Sequence, residues 1–530
     1  MAYRVSQQSL ELAVRHLVRY GDTDIFPHLP ELAFLADRET AVVEELAKLD
    51  LDSYMPAGAI EALAPKARYS FRIAHQLSAL DTLLLLACVI AIGDKIEGKR
   101  QPVSQVRSFS YRFSPDSSAG QLFRKDRTYK HWLHAQQALL PSNSKITHVV
   151  STDISDYYSR INFHRLENLL DEVAPKNGAT RFIKKHISII RARQSFGLPV
   201  GGSAARLLAE LALADTDQAL RDKGLRATRF VDDFRIFLTA NDHPYDALGF
   251  LAEQLGINEG LSLNSAKTEV VEREDYSAYL KAATSDLEEE AEGVALDSLT
   301  TGLYFDDEPD PDDLEKLKGL NLVEMLRNEI EGDDWDVGRI KVLFRALKIA
   351  KPKEAIEFIT EKFSELVAFG KELVLLMEAL EDEFWCFGDL CDEVVQAILS
   401  PPASSVQLIR TWLLEIFVRN IISPSAAAQR KLEDLSAVID KRQLLLIRGR
   451  RKDVNYFRKQ KTAVQSFSDV ERPCLVWGAS CLPQDEYDVW LKTAGIHLNK
   501  PLDALYLKWV SINKDKLFAK LKSPAADELE

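Results

Sequence analysis

Two stretches of the sequence place aspartates where a β-strand would end or turn. A strand-like run over 147–152, with Val149 and Val150 at its centre, leads into Asp153, so a strand there would present a carboxylate at its end. Apolar runs also flank Asp232 and Asp233, as in a β-hairpin whose turn displays two carboxylates. Carboxylates on neighbouring strands supply the hard oxygen ligands that Mg²⁺ prefers, and a pair of such ions can assist transfer of a nucleotidyl group.

Adjacent aspartates alone are weak evidence, because other Asp-Asp pairs begin at positions 306, 312 and 333. Those pairs lack β-like runs on both sides, whereas the pair at 232 has them. The alternative, that Asp232 and Asp233 form an ordinary surface turn, has to be judged together with the neighbouring signals.

Two further segments complete a pattern in a fixed order. Gly201 and Gly202 precede a helix with an apolar face, and Ser203 is its predicted N-cap. A glycine-rich turn at a helix N-terminus can hold phosphates or a base pair, although such glycines are usually structural. Lys267 ends a short strand-like piece over 261–268 and would ordinarily be a surface lysine. Four weak signals in this order, within residues 149–268, become one strong signal.

The elements that must position these residues follow from hydrophobic periodicity. Residues 1–145 are predicted to be mostly helical, with a buried helix at 83–92 and a loop at 20–27. From 146 to 280 β-like runs alternate with helical stretches, which predicts a mixed α and β module. The predicted strands and helices of this module are 147–152, 227–230 and 234–238, and 163–173, 203–220 and 247–255.

The second half of the chain has a different character. An acidic stretch over 281–316 is predicted to be a linker or surface loop. Residues 317–530 are helical in pattern, and stacked helix pairs (HEAT-like) are the predicted arrangement, although no sequence repeat is evident. Helices in this region are predicted at 340–349, 355–369, 373–380 and 406–418.

Charge is distributed unevenly along the chain. The net charge is -14, so any nucleic-acid contact must come from local basic clusters. Residues 105–130 interleave arginines and lysines with aromatic residues, a mixture that suits phosphates and stacked bases. A second basic cluster at 441–461 is either a solvated helix face or a nucleic-acid groove.

The sequence gives little sign of a membrane or an oxidising compartment. The 83–92 run is too short to cross a bilayer, and the first residues lack a signal-peptide pattern, so a cytoplasmic protein is expected. The five cysteines form no Cys-x-x-Cys pair, which favours buried free thiols over zinc.

The ordered segments resemble the palm motifs of reverse transcriptases. Asp153 with Tyr157-Tyr158 is similar to motif A, and 196–203 is similar to motif B. Phe230 to Asp233 resembles the Tyr/Phe-x-Asp-Asp motif C, and 263–268 resembles motif D. Pro-Val-Gly-Gly at 199–202 departs from the more usual Pro-Gln-Gly.

The resemblance implies an α+β right-hand polymerase palm with fingers, followed by an all-α, helical-repeat-like C-terminal domain. Its fingers fall in 1–145 and its palm in 146–280. It implies catalytic acids Asp153, Asp232 and Asp233, with Ile154 in the metal-binding set. Two Mg²⁺ ions are the implied cofactors, with Mn²⁺ as a substitute.

The same resemblance implies substrate contacts. Tyr158, five residues after Asp153, is the candidate steric gate against a ribose 2′-OH, and Arg112 is a candidate for contacting the incoming triphosphate. Gly201, Gly202, Ser203 and Lys267 complete the implied substrate-binding set. The implied partners are dNTPs and nucleic acid, namely the DNA product and in some relatives a companion RNA.

An early Tyr-Gly-Asp-Thr-Asp-Ile-Phe-Pro segment, a compact palm and a long helical C-terminus resemble the bacterial defence-associated group, which includes the abortive-infection (Abi-type) and "unknown group" reverse transcriptases. This resemblance implies antiviral DNA synthesis, either protein-primed without a template or copied from a companion RNA, and a homo-oligomer by analogy.

An RNA polymerase would have Gly before Asp-Asp, and a nucleotide cyclase a Gly-Gly-(Asp/Glu)-Glu-Phe turn; neither is present. A non-catalytic RNA-binding scaffold predicts loss of an acid, whereas all three acids are retained.

Overall fold

A computed structural model describes residues 2–105, 107–142, 145–191, 194–284, 315, 317–332 and 335–521. The chain divides into two compact units that each combine separate stretches of sequence. The first unit comprises Met1–Ala13, Asp50–Pro56 and Leu84–Leu317, and the second comprises Val14–Leu49, Ala57–Leu83 and Lys318–Glu530. The acidic segment predicted at 281–316 lies almost wholly outside the described residues.

The strands are β1 Ile60–Ala67, β2 Ser70–Gln76, β3 Phe113–Asp116, β4 Gln121–Phe123, β5 Ile146–Asp153, β6 Arg226–Phe230, β7 Asp233–Thr239 and β8 Glu269–Glu272. The helices up to residue 284 are Gln7–Tyr20, Glu31–Asp37, Glu39–Leu46, Ala79–Ala91, Gly93–Lys99, Tyr129–Ser142, Tyr157–Arg160, Phe163–Val173, Gly178–Ile190, Ser203–Ala212, Ala214–Asp222, Pro244–Glu253 and Arg273–Thr284. Most of the predicted elements are confirmed, but the helix predicted at 203–220 is two helices that separate at Leu213.

The first unit is built around a four-stranded antiparallel sheet in the order β6-β7-β5-β8. Strand β5 is central, and Val149 and Val150 on its two faces are fully buried. The Tyr129–Ser142 and Arg273–Thr284 helices contribute Trp132 and Leu280 to a core that also contains Phe237 of β7. Because both neighbours of β5 are hydrogen-bonded to it, the end of this strand is held in a defined position.

The C-terminal part of the second unit consists of two rows of helices. In one row each helix packs on the next, in the order Leu322–Glu331, Glu354–Leu366, Cys391–Leu399 and Ala426–Leu432. The other row is Val337–Ala350, Gly370–Phe384, Gln407–Val418, Val438–Arg450 and Arg472–Gly478. The helices Val454–Gln460, Gln484–Gly495 and Asp503–Asn513 complete this part. Alternate helices therefore stack as in a helical-repeat protein.

The β1–β2 hairpin corrects the expectation that residues 1–145 are mostly helical. Its buried face carries the small residues Ala62, Ala64 and Ala74 beside the polar Gln76, and β1 packs against the Gln407–Val418 helix of the same unit. Alanine on the buried face does not produce the alternation of large apolar and polar residues that marks a strand in sequence. No helix within the described ranges is both long and apolar enough to cross a membrane.

Two helices of the second row cross at glycines, which yields a stability prediction. A Cβ added at Gly449 would lie 2.5 Å from the Cα of Gly478. We expect Gly449→Ala to lower the free energy of unfolding by about 1–3 kcal/mol, because backbone would have to move apart. Thermal unfolding followed by circular dichroism measures the change.

Gly98 provides the control, since it is an exposed helical glycine with nothing within 4 Å of an added Cβ. Gly98→Ala should be neutral or stabilising by up to about 1 kcal/mol, because alanine is the better helix former. Equal melting temperatures for the two variants would contradict the close crossing.

Candidate active site

The three aspartates meet at one end of the sheet. Asp153 is the last residue of β5 and is directly paired with Asp233, the first residue of β7. Asp232 belongs to the turn between β6 and β7, and its carbonyl oxygen accepts a hydrogen bond of 3.2 Å from the Ile154 amide. The fold therefore brings together residues that lie about 80 positions apart in sequence.

The turn that carries Asp232 has an unusual backbone. Val231 has a φ of +56°, in the left-handed region that β-branched residues rarely adopt. Such conformations cost on the order of 1–3 kcal/mol and persist only where the surroundings impose them. The conformation of Val231 therefore needs a structural cause.

The acids are in an environment that disfavours their charge. Burial, together with the charges of Asp233 and Asp153, raises the pKa of Asp232 from its ordinary 3.8 to about 7. Burial also raises the pKa of Asp233. Three like charges at one end of the sheet repel one another, so a bound cation would stabilise their ionised forms.

Lys267 supplies one positive charge at this end of the sheet. Its Nζ lies 2.7 Å from Asp153 Oδ2. Desolvation lowers the pKa of Lys267, but the hydrogen bond to Asp153 and the carboxylate charges outweigh it and raise that pKa overall. The prediction of a strand ending at Lys267 was wrong in detail: Ser265–Lys267 is a 3₁₀ turn, and β8 begins two residues after Lys267.

The carboxylates fit a hard divalent cation. Asp153 Oδ1 is buried and accepts no hydrogen bond, so this carboxylate oxygen has no partner within the protein. Carboxylate oxygens are the ligands that Mg²⁺ uses in proteins. Within the described ranges, no three His, Cys, Asp or Glu side chains already form a metal-binding group. The aspartates would therefore have to adjust around an ion.

The loop resembling motif B lies beside Tyr158. The Tyr158 carbonyl accepts a hydrogen bond of 2.8 Å from the Leu198 amide, and the tyrosine ring meets the Tyr157 ring edge-on at 5.5 Å. Burial raises the pKa of the Tyr158 hydroxyl well above its ordinary value. Its side chain is therefore a neutral, half-buried ring on the residue five positions after Asp153.

Glycines shape the loop that follows. Gly201 has a φ of +107°, which only glycine adopts readily, and Gly202 occupies the N-cap position of the Ser203–Ala212 helix. Ser203 is thus the first helical residue and not the N-cap, which corrects the sequence prediction. Gly202, lacking a side chain, leaves the cap without a side-chain hydrogen bond.

Comparison with known proteins identifies this part of the chain. Residues 93–291 match the family model described as "Reverse transcriptase (RNA-dependent DNA polymerase)". This chain contains a reverse transcriptase domain. By that domain the chain is an enzyme, an RNA-directed DNA polymerase, and the sheet of the first unit is the polymerase palm.

Solved structures similar to the chain include telomerases. Apo telomerase from Candida tropicalis has 14% identity and a TM-score of 0.33, with 72% of this chain and 74% of that chain covered. Telomerase from Candida albicans, in complex with a TWJ fragment of telomeric RNA, has 13% identity and a TM-score of 0.30, with 72% and 70% covered. These values are too low to transfer any telomerase property. A search of curated proteins gave no match.

Arg112 of the reverse transcriptase domain is not at the carboxylates. Its side chain is 2% exposed, and Nη2 lies 2.5 Å from Glu97 Oε1. Its other hydrogen bonds go to the carbonyl oxygens of Ser108 and Gln101. An arginine among aromatic residues resembles a phosphate-binding group in sequence, but here Nη1 and Nη2 both bond to groups inside the domain.

The aromatic residues of 105–130 are buried or half-buried, whereas Arg124 and Lys125 are exposed. Phe109 is buried in the palm core and Tyr129 packs against the same cluster, while Arg127 lies over the Phe109 ring. In the second unit, two arginines of the 441–461 cluster also bond within the protein. Arg442 is buried and hydrogen-bonds to Gln76, and Arg448 forms an ion pair with Asp453. These contacts assign packing or ion-pairing roles to individual members, while exposed basic side chains remain in both clusters.

The raised pKa of Asp232 has a consequence for stability. Folding raises this pKa from 3.8 to about 7, so the ionised carboxyl lowers the free energy of unfolding. This destabilisation is absent below pH 3.8, grows as the pH rises to about 7 and stays constant above. Without divalent ions, Asp232→Asn should therefore raise the melting temperature by at least about 2 °C at pH 8. The gain should shrink towards pH 4.

Asp242→Asn is the matched control, because a hydrogen bond from the Thr239 amide lowers the pKa of Asp242. That variant should leave the melting temperature at pH 8 unchanged or lower. Differential scanning calorimetry at several pH values would decide, and a pH-independent effect of Asp232→Asn would contradict the electrostatic account.

Proposed function

We propose that the domain adds dNTPs to a growing DNA strand at Asp153, Asp232 and Asp233, with two Mg²⁺ ions bound between these side chains. The observation that carries the proposal is the direct pairing of Asp153 with Asp233 beside the Asp232 turn, with Asp153 Oδ1 unpartnered. Ile154 has an apolar side chain, so only its main-chain carbonyl could join the metal ligands.

The bound ions would activate the attacking hydroxyl and support the leaving pyrophosphate. The protein's own contribution is to hold the reactants in place and to stabilise charge. Lys267, whose raised pKa keeps it protonated, is placed to offer its ammonium to a phosphate oxygen. Gly201, Gly202 and Ser203 follow Leu198, which hydrogen-bonds to Tyr158, and their backbone at the helix start would contact the substrate phosphates.

Replacing a single acid tests the catalytic assignment. The purified protein is incubated with Mg²⁺ and labelled dNTPs, and we expect Asp232→Ala to reduce incorporation at least about 1,000-fold, since charge stabilisation of the transition state is lost. Asp242→Asn, an acid outside the site, should retain wild-type incorporation. Equal activity of Asp232→Ala and the wild type would refute the assignment.

Tyr158 offers a separate test of sugar selectivity. If its ring occupies the space of a ribose 2′-OH, Tyr158→Ala should incorporate rNTPs at least about tenfold more readily relative to dNTPs, because the steric conflict is removed. Tyr158→Phe should keep the wild-type selectivity, since the ring remains. Unchanged dNTP selectivity in the alanine variant would rule out the gate.

We further propose that this polymerase serves bacterial antiviral defence, on the basis of the segment at 20–27. Asp22 of that segment is buried and accepts a hydrogen bond of 2.9 Å from Gln76, which in turn accepts one from Arg442. The segment is thus an anchored part of the second unit. Phage plating on cells carrying the wild type or Asp232→Ala tests the role, and equal plating efficiency would refute it.

The primer and template are the finer part of the proposal. We favour protein-primed synthesis without an added template, in a homo-oligomer. Nuclease-treated protein should then acquire label that migrates with the polypeptide on denaturing gels. Label that appears only with co-purified RNA would favour copying of a companion RNA, and no label under either condition would favour a non-catalytic scaffold. Light scattering of the same sample reports the oligomeric state.

A further inference from the structure

A buried polar network lies directly behind the Asp232 turn. Four charged side chains, each at most 4% exposed, form it together with two serines. The members are Arg100, Ser108, Ser110, Glu210, Asp217 and Arg229. Two arginines face two acids, so the network is electrically balanced, as buried charges must be.

The network contacts both polar atoms of the Val231 backbone. The Val231 amide donates a hydrogen bond of 2.8 Å to Ser110 Oγ. The Val231 carbonyl accepts one of 2.9 Å from Arg229 Nη1. Val231 is the residue whose φ of +56° is otherwise unfavourable, so these two bonds act on the strained position itself.

Glu210 holds in place both side chains that bond to Val231, namely Ser110 and Arg229. Its Oε1 accepts a hydrogen bond of 2.5 Å from Ser110, which orients the serine oxygen towards the Val231 amide. Its Oε2 lies 3.0 Å from Arg229 Nη1 and 2.7 Å from Arg100 Nη2. Asp217 fixes the other side of Arg229 with two bonds of 2.8 and 2.7 Å. Arg229 therefore has little rotational freedom.

We infer that Glu210, acting through Ser110 and Arg229, is a positioning residue that holds the Val231 turn and thereby places the Asp232 carboxylate for metal binding. Glu210 belongs to the Ser203–Ala212 helix, whose start carries Gly202 and Ser203. The network thus connects the helix of the proposed substrate loop to the turn of the proposed metal site. The inference rests on the proposed two-metal reaction.

Ser110→Ala is the most informative variant, because it removes the bond to the Val231 amide without leaving a buried charge unpaired. We expect kcat for dNTP incorporation to fall about tenfold, because a less well placed Asp232 carboxylate would stabilise the transition state less. The KM for dNTP should stay nearly constant. The Mg²⁺ concentration for half-maximal activity should rise, since the carboxylate is less well placed.

Thr180→Val is the matched control for loss of a buried hydroxyl. Thr180 is 1% exposed and its hydroxyl donates to the Ala174 carbonyl, within the same unit but outside the network. This variant should lose stability without changing the Mg²⁺ dependence. A loss of activity in Ser110→Ala that only follows the fraction of folded protein, as in the control, would overturn the inference.

A second variant tests the role of backbone strain. Glycine adopts a positive φ without strain, so a Val231→Gly turn should depend less on the hydrogen bond from its amide. The effect of Ser110→Ala on kcat should therefore be smaller in the Val231→Gly background than in the wild type. Equal effects in both backgrounds would show that Ser110 does not act through this turn.

Calorimetric titration with Mn²⁺ provides a readout that needs no catalysis. Wild-type protein should bind the ion, Ser110→Ala should bind it several-fold more weakly, and Thr180→Val should match the wild type. Binding that weakens in Ser110→Ala, even in a chain that incorporates no dNTP, would support the positioning role while refuting the proposed reaction. Unchanged Mn²⁺ affinity in Ser110→Ala would overturn the positioning role whatever the activity.

Discussion

Repulsion among three carboxylates is the constraint that organises the palm. Asp153 and Asp233 lie opposite each other in a strand pair, and Asp232 immediately precedes Asp233 in the turn. Neither strand can shift to separate the charges, because β5 is hydrogen-bonded on both sides and β7 lies between β5 and β6. Burial, together with this repulsion, raises the pKa of Asp232, and the ammonium of Lys267 contacts Asp153. A site of this kind is stable in its charged form only when cations share it.

The buried network behind the turn is better explained by geometry than by stability. Buried ion pairs contribute little net stability, and apolar side chains of similar volume often do as well. Apolar side chains, however, could not bind the amide and carbonyl of Val231, which Ser110 and Arg229 do. The network therefore specifies one conformation of a turn that sterics alone would not select.

The sequence predicted that these carboxylates lie at strand ends because the pattern that indicates it is local. Strand-like runs next to Asp153 and Asp232 are visible within ten residues, and the palm strands followed from the same runs. The network was missed because Ser110, Glu210 and Arg229 meet only through tertiary structure. One signal was present: Glu210 is an acid on the buried face of the apolar helix Ser203–Ala212, a position that requires a partner.

The prediction for Arg112 failed for a related reason: the family resemblance suggested a contact with the triphosphate, whereas burial beside Glu97, visible only in the fold, assigns this arginine to the interior. The helical half was predictable for a different reason. Stacked helices need only an apolar face at a period near 3.6 residues, so two rows can form without a recognisable sequence repeat. The β1–β2 hairpin was not predictable, since alanines on its buried face are equally compatible with a helix.

Val231 combines these local and long-range effects in one residue. A glycine would adopt the same φ at no steric cost, but it would leave the turn free to adopt other conformations as well. The valine side chain packs against the palm core, and its β-branch leaves few rotamers. Packing on one side and hydrogen bonds on the other thus confine the residue before Asp232 to a single arrangement. The strained φ of Val231 persists because this packing and the hydrogen bonds with Ser110 and Arg229 together impose it.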